Sequence, residues 1–204
     1  MKNEMQCIKS LHISLGTIGE SPRTLPTPLG VLLLTWNQAF YRYASFDFND
    51  LEQCLTKNMP LIEQYRNRDI YSYNRNDDDS ITKLFAEMLN ALKTERGKSP
   101  VAVAKALHLL APNFFPLWDI EIARGHECLW SQSSEAASKY LCFMKKSQTQ
   151  IEEILTSYGG LQPQDRQTAL TAICKNCSSN LPFIKSILKI IDEYNYAKYT
   201  KNWI

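Results

Sequence analysis

The chain has 204 residues, 44% of them hydrophobic and 22% charged, a balance that supports a buried core and excludes a disordered or fibrous polypeptide. Its formal net charge of +2 neither demands nor excludes a polyanionic partner, although from Lys139 onward nine Lys and Arg stand against five Asp and Glu, which makes that third weakly basic. The longest apolar run, Val31 to Leu34, is too short to cross a bilayer, and the first ten residues carry Lys2, Glu4 and Lys9 rather than an apolar signal. A cytoplasmic protein with no membrane segment and six reduced cysteines is expected.

In chain order, Leu25-Pro26-Thr27-Pro28 reads as the end of an extended lead-in covering residues 1–28, and Val31 to Tyr43 as an apolar, aromatic helix. Asp47 or Asn49 is placed to cap a second helix from about Asp50 to Asn58, with Pro60 beginning another, short one. Arg66 to Asp79 lacks apolar periodicity and is expected to be an exposed loop whose three aspartates cap the next helix rather than bind a metal. Ile81 to Lys93 repeats apolar residues at helical spacing, and Arg96-Gly97-Lys98 breaks it. Ser99-Pro100 then restarts a helix with a serine in the capping position and a proline in the first turn. Later helices are expected from about Ser134 to Tyr158, ended by Gly159-Gly160, from about Pro163 to Cys177, and from about Pro182 to Tyr199. No segment alternates apolar and polar residues long enough to form a sheet, so the fold class is all-α. With no repeat or flexible linker, residues 1–204 form one helical domain, with a core at 29–126 and C-terminal helices at 134–204 packing on it.

The most ordered signal runs from Ser99 to His126. A helix to Ala111 is followed by an aromatic loop, Pro112 to Trp118, and a second helix opens at Asp119. At that position backbone N–H groups hold the Asp119 carboxylate while Phe115, Pro116, Leu117 and Trp118 exclude water on one side, which strengthens its field on anything bound nearby. An aspartate there is equally an ordinary helix cap.

The order of a capped helix, a short loop ending in an apolar residue plus Asp, and a further helix resembles the core of the helix-hairpin-helix DNA glycosylases. The resemblance covers Val31 to Arg124 as an ordered set of helices, with its motif in Lys98 to Arg124. The family's glycine-rich hairpin is reduced here to Arg96-Gly97-Lys98-Ser99. The resemblance implies an all-helical DNA glycosylase with Asp119 as catalytic carboxylate, stabilising an oxocarbenium-like sugar and orienting water after the target base has left the stack. Its partner would be double-stranded DNA with a modified base, it needs no cofactor, and a monomer suffices. A small member with a reduced hairpin also resembles bacterial enzymes that attack phage DNA carrying bulky modified cytosines.

Some members of the family use a nucleophilic lysine, and Lys98 and Lys105 are the two within reach. Lys105 lies opposite the centre of its helix's apolar face, between Val101 and Leu109, so it is either a solvated or phosphate-facing lysine or one collared for nucleophilic attack. A monofunctional enzyme is the preferred reading. Trp36, Asn37, Gln38, Tyr41 and Tyr43 offer aromatic and amide groups for a base pocket, with His108 and Trp118 beside Asp119, although Trp36, Tyr41 and His108 fit equally well as packed core. Lys98, Ser99, Arg124 and His126 are candidate DNA phosphate contacts. Two other readings stay open: a noncatalytic nucleic-acid or protein-binding module, and a zinc scaffold on His126, Cys128, Cys174 and Cys177.

Overall fold

In the computed structural model, which describes residues 26–159 and 166–204, every regular element is helical. The lead-in before Pro26 and the turn at Gly160 lie outside the described residues. Helix α1 (Pro26–Trp36) begins earlier than apolar spacing alone predicts. Both of its prolines fall in the first turn, where a missing N–H and a fixed φ cost nothing. It stops at Asn37, whose φ of −112° and ψ of 38° leave the helical region, and the four-residue α2 (Gln38–Tyr41) follows. The expected unbroken helix from 31 to 43 is therefore divided. At the break the Asn37 side chain is turned onto Ser99, 62 residues away, and donates to its Oγ at 3.2 Å.

Helix α3 (Phe48–Arg66), capped by Asp47, runs through Pro60 instead of ending before it. An internal proline costs about 3 kcal/mol. Leu55, Ile62 and Tyr65 are almost wholly buried on the opposite face, and each buried side chain of that size contributes about 1.5–3 kcal/mol. Packing outweighs the break, and Pro60 is tolerated because it faces solvent.

The stretch expected to be an exposed loop is built from two short 3-10 turns, Ile70–Ser72 and Arg75–Asp77, capped by Asp69 and Asn74. Sequence patterning misses it because its burial is intermittent: Ile70 and Tyr73 are buried while their neighbours are not. Arg68 grips Asp77 through two N–H donors at 2.7 and 2.8 Å, and Asp78 accepts from the Tyr73 hydroxyl and from Lys145. Helix α4 (Asp78–Ala91) starts directly from these aspartates.

A tight hairpin, in which Thr94 and Gly97 exchange backbone hydrogen bonds, leads into α5 (Pro100–Leu110). Gly97 has a φ of 133°, a conformation open to glycine at little cost. Ser99 caps α5 by accepting from the Ala102 N–H, as its sequence predicts. The loop from 111 to 118 is nearly all buried and leads to α6 (Ile120–Gly125), then α7 (Ala136–Gly159), α8 (Arg166–Asn176) and α9 (Ile187–Asn195). Helix α9 starts later than Pro182 because Ser186 is its cap, and it ends in a π-helical turn at Tyr196–Thr200.

Helix α1 lies against α3 and α5, α4 against α3, α5 and α7, and α7 against α8 and α9, while the π turn lies on α6. One buried apolar cluster includes residues from Leu29 to Ile191. Among the described residues no helix is long and apolar enough to cross a membrane.

Candidate functional site

Asp119 sits where the buried aromatic loop ends and α6 begins. Its backbone is extended (φ −122°, ψ −175°), and Oδ1 accepts the Ile122 N–H at 2.8 Å, so the cap predicted from sequence is present. Oδ2 accepts from the Thr200 hydroxyl at 3.1 Å, across 81 residues of chain. The carboxylate is half-buried and makes no ion pair among the described residues. Behind it Trp118 is 1% exposed, stacked on Trp130 with ring centroids 4.8 Å apart and edge-on to Tyr140.

The π turn covers the other flank of α6. A methyl group on Gly125 would overlap the Tyr199 ring, so the glycine is what lets the turn approach so closely. His126 lies edge-on to the rings of Phe143 and Tyr199, and its Nε2 meets Asn195 Oδ1 at 3.2 Å. Burial, with Lys146 and Lys198 nearby, holds its pKa below the ordinary histidine value, against the opposing hydrogen bond to Asn195 Oδ1. Arg124 pairs with Glu121 on its own helix. His126, expected at a DNA phosphate, is instead a seam between α6, α7 and the C-terminal turn, and Arg124 reaches solvent already paired.

A second group forms where α1 meets α5. Lys105 Nζ donates to the Trp36 carbonyl at 2.9 Å and lies 5.0 Å from the centroid of the Trp36 ring. Both contacts favour an ammonium over a free amine lone pair. Asn37 bonds Ser99, and Lys98 donates to Asn90 Oδ1 at 2.6 Å. The structure thus brings together Trp36, Asn37, Lys98, Ser99 and Lys105, five of the residues singled out from sequence.

Tyr41, His108 and Trp118 do not join either group as base-pocket surfaces. Tyr41 is 7% exposed, its hydroxyl donates to the Leu92 carbonyl, and burial raises its pKa. His108 is 8% exposed with Nδ1 at 2.8 Å from the Phe115 carbonyl, which ties α5 to the loop before Asp119. A stacking platform needs an open ring face, and these rings spend theirs on the core.

Among the described residues the cysteines do not gather into a set of metal ligands. Cys128 is buried beside Cys142 and its thiol, which donates to the His126 carbonyl, is pushed up to about 12, chiefly by burial. The Cys174 thiol is likewise raised by burial and by Cys177. Metal binding needs the thiolate, and among the described residues no three His, Cys, Asp or Glu side chains converge to hold an ion.

Thr200, Asn195 and Trp130, which complete the surroundings of Asp119, were not singled out from sequence. Thr200 and Asn195 act across 81 and 69 residues, and no local spacing signals such contacts. Comparison with protein-family models, curated proteins and solved structures returned no match.

Proposed function

We propose that the chain is a DNA glycosylase of helix-hairpin-helix type, which extrudes a modified base from duplex DNA and hydrolyses its N-glycosidic bond with Asp119 as the catalytic carboxylate. What supports this reading most is Asp119 itself: one oxygen is anchored by a backbone N–H at a helix start, the other accepts from a hydroxyl, and the carboxylate makes no ion pair among the described residues, while the carboxyl of Asp192 lies near enough to feel its charge. An anion so fixed can stabilise the positive sugar formed as the C1′–N bond breaks. The bonding pair leaves with the base, which takes up a proton, and water adds at C1′ to leave an abasic site.

Lys105 does not act as a nucleophile in this scheme. Its ammonium is committed to Trp36, and hydrolysis by water needs no Schiff base. Strand cleavage is then expected only after alkali.

Asp119→Asn is the decisive variant. Asn caps helices as well as Asp, so melting temperature should stay within about 1 °C, while release of free base falls at least about 100-fold. The substrates are duplexes bearing oxidised, deaminated, alkylated or glucosylated hydroxymethylcytosine bases, with alkali cleavage revealing abasic sites.

One observation favours a different reading. Thr200 satisfies the outer oxygen of Asp119, which is what a purely structural cap linking two parts of the chain would show. In that case the chain is a noncatalytic nucleic-acid-binding module, and no duplex in the panel loses a base with either the wild type or Asp119→Asn.

A further inference from the structure

Two cysteines meet where the chain leaving α6 crosses α7. Cys128 is buried, and its thiol donates to the His126 carbonyl at 3.3 Å. The same carbonyl accepts from Lys146 Nζ at 2.6 Å, and Lys146 stands one turn after Cys142 on α7. The ring of His126 lies 5.3 Å from that of Phe143, the residue next to Cys142. These contacts carry the Cys128 thiol onto the face of α7 that bears Cys142, near enough for the two thiols to hydrogen-bond.

The approach of Cys128 is fixed by its own backbone. Glu127, just before it, holds a φ of 57°, a left-handed conformation that a residue with a side chain keeps only where its surroundings enforce it. Here the Glu127 and Cys128 N–H groups bond the Arg124 and Ala123 carbonyls at 3.0 and 2.8 Å, and the Glu127 carboxylate pairs with Lys146.

The pair differs from the other described cysteines. Cys54 is buried with its sulfur 3.6 Å from Met88 Sδ. Cys174 and Cys177 are three residues apart, and the Cys177 N–H still bonds the Ile173 carbonyl as in a helix. Helical residues at that spacing hold their Cβ atoms about 5–6 Å apart, wider than the roughly 3.5–4.5 Å a disulfide requires. Cys142 is half-buried, so a small oxidant reaches it. Lys139 and Lys146, three residues before and four after it, share its helical face and place two positive charges beside the sulfurs, the setting in which thiols react with oxidants.

The chain between the two cysteines carries both rings that hold Trp118. Trp130 stacks on it at 4.8 Å, and Tyr140 meets it edge-on at 5.2 Å while donating its hydroxyl to the Pro116 carbonyl. We propose that Cys142 and Cys128 are a peroxide-responsive pair whose disulfide closes this loop and locks the aromatic stack behind Asp119. The Cys142 thiolate attacks one oxygen of hydrogen peroxide, the O–O bond breaks, and the departing hydroxide takes a proton to become water, leaving a sulfenic acid. The Cys128 sulfur then attacks the sulfenic sulfur. The S–S bond forms as the S–O bond breaks, and the leaving hydroxyl takes the Cys128 proton as a second water. Two thiols are oxidised and one peroxide is reduced. Burial keeps the Cys128 thiol protonated, which leaves the first attack to Cys142. The inference does not rest on the glycosylase reading.

The test uses the full chain, reduced and desalted, with about one equivalent of hydrogen peroxide. Remaining thiols are alkylated, and the digest is analysed by mass spectrometry. The expected product is a cross-linked peptide pair holding Cys128 and Cys142, with the free-thiol titre of the denatured chain falling from six to four. Closing a loop of about 15 residues should raise the melting temperature by about 6 °C or more, and dithiothreitol should reverse the rise. Cys142→Ser should show neither the cross-link nor the rise. In Cys128→Ser the oxidation should stop at a Cys142 sulfenic acid that dimedone traps.

The proposal is overturned if the titre stays at six, if Cys142 passes only to sulfinic acid, or if the cross-link joins other cysteines or two chains. A Cys128–Cys142 disulfide that leaves melting unchanged or lowers it overturns the locking. These wild-type outcomes need no variant. Where Cys128→Ser melts lower because its hydroxyl is buried, Cys128→Ala takes its place, and a variant that gives no dimedone adduct on Cys142 overturns the order of the two steps.

Discussion

Asp77 shows how one side chain can carry a local structure that no periodicity announces. Its carboxyl is held below the usual aspartate range first by the two-pronged bond from Arg68, against a penalty from burial, and the Asn74 N–H adds to the grip. Because the folded chain binds fewer protons here than the unfolded chain, the contribution to stability is complete above an ordinary aspartate pKa near 3.8 and is lost as pH falls through the lower folded value. Asp77→Asn keeps the shape and removes the charge, so urea unfolding at pH 7 should show a loss of about 2 kcal/mol. The same variant should lose less stability than wild type between pH 4 and pH 2. Equal acid sensitivity in the two proteins would assign the effect elsewhere.

At the scale of elements, the contest between proline and packing in α3 gives a second measurement. Pro60→Ala restores a backbone donor to an exposed helix position and removes the ring clash, although it also frees the unfolded chain. The net expectation is a gain of about 2 kcal/mol, read as a rise in melting temperature. The helices themselves were largely legible in the sequence: Asp47, Ser99 and Asp119 were each readable as caps, and each accepts the expected backbone N–H. What escaped were elements decided by distant partners. The break at Asn37 answers to Ser99, and the 3-10 turns after α3 answer to Arg68 and to the burial of Ile70 and Tyr73. Arg96 was readable only as part of a helix breaker, because its approach to Tyr43 is fixed by a hairpin closure and not by spacing.

For the whole molecule, the seam between α6, α7 and the C-terminal turn should respond to pH. His126 is held neutral chiefly by burial, so the unfolded chain, with an ordinary pKa of 6.5, takes up a proton before the folded one does. Stability contributed by this residue is therefore full above that value and declines as pH falls from about 7 toward 5. Melting temperature should drop over that interval in wild type and be flatter in His126→Phe, which keeps a ring between Phe143 and Tyr199. Asp77 titrates well below this window, so the two effects separate on the pH axis.

The bond from Thr200 to Asp119 also dictates an order of events during synthesis. Asp119 leaves the ribosome 81 residues before the hydroxyl that closes its outer oxygen, and a contact of that separation forms late because much intervening chain must first be placed. For that interval α6 is a nascent helix with its glycine face uncovered by Tyr199 and its carboxylate open to water. The interior around Trp118 can condense first, and the acid at its edge gains its second partner only when the last turn docks.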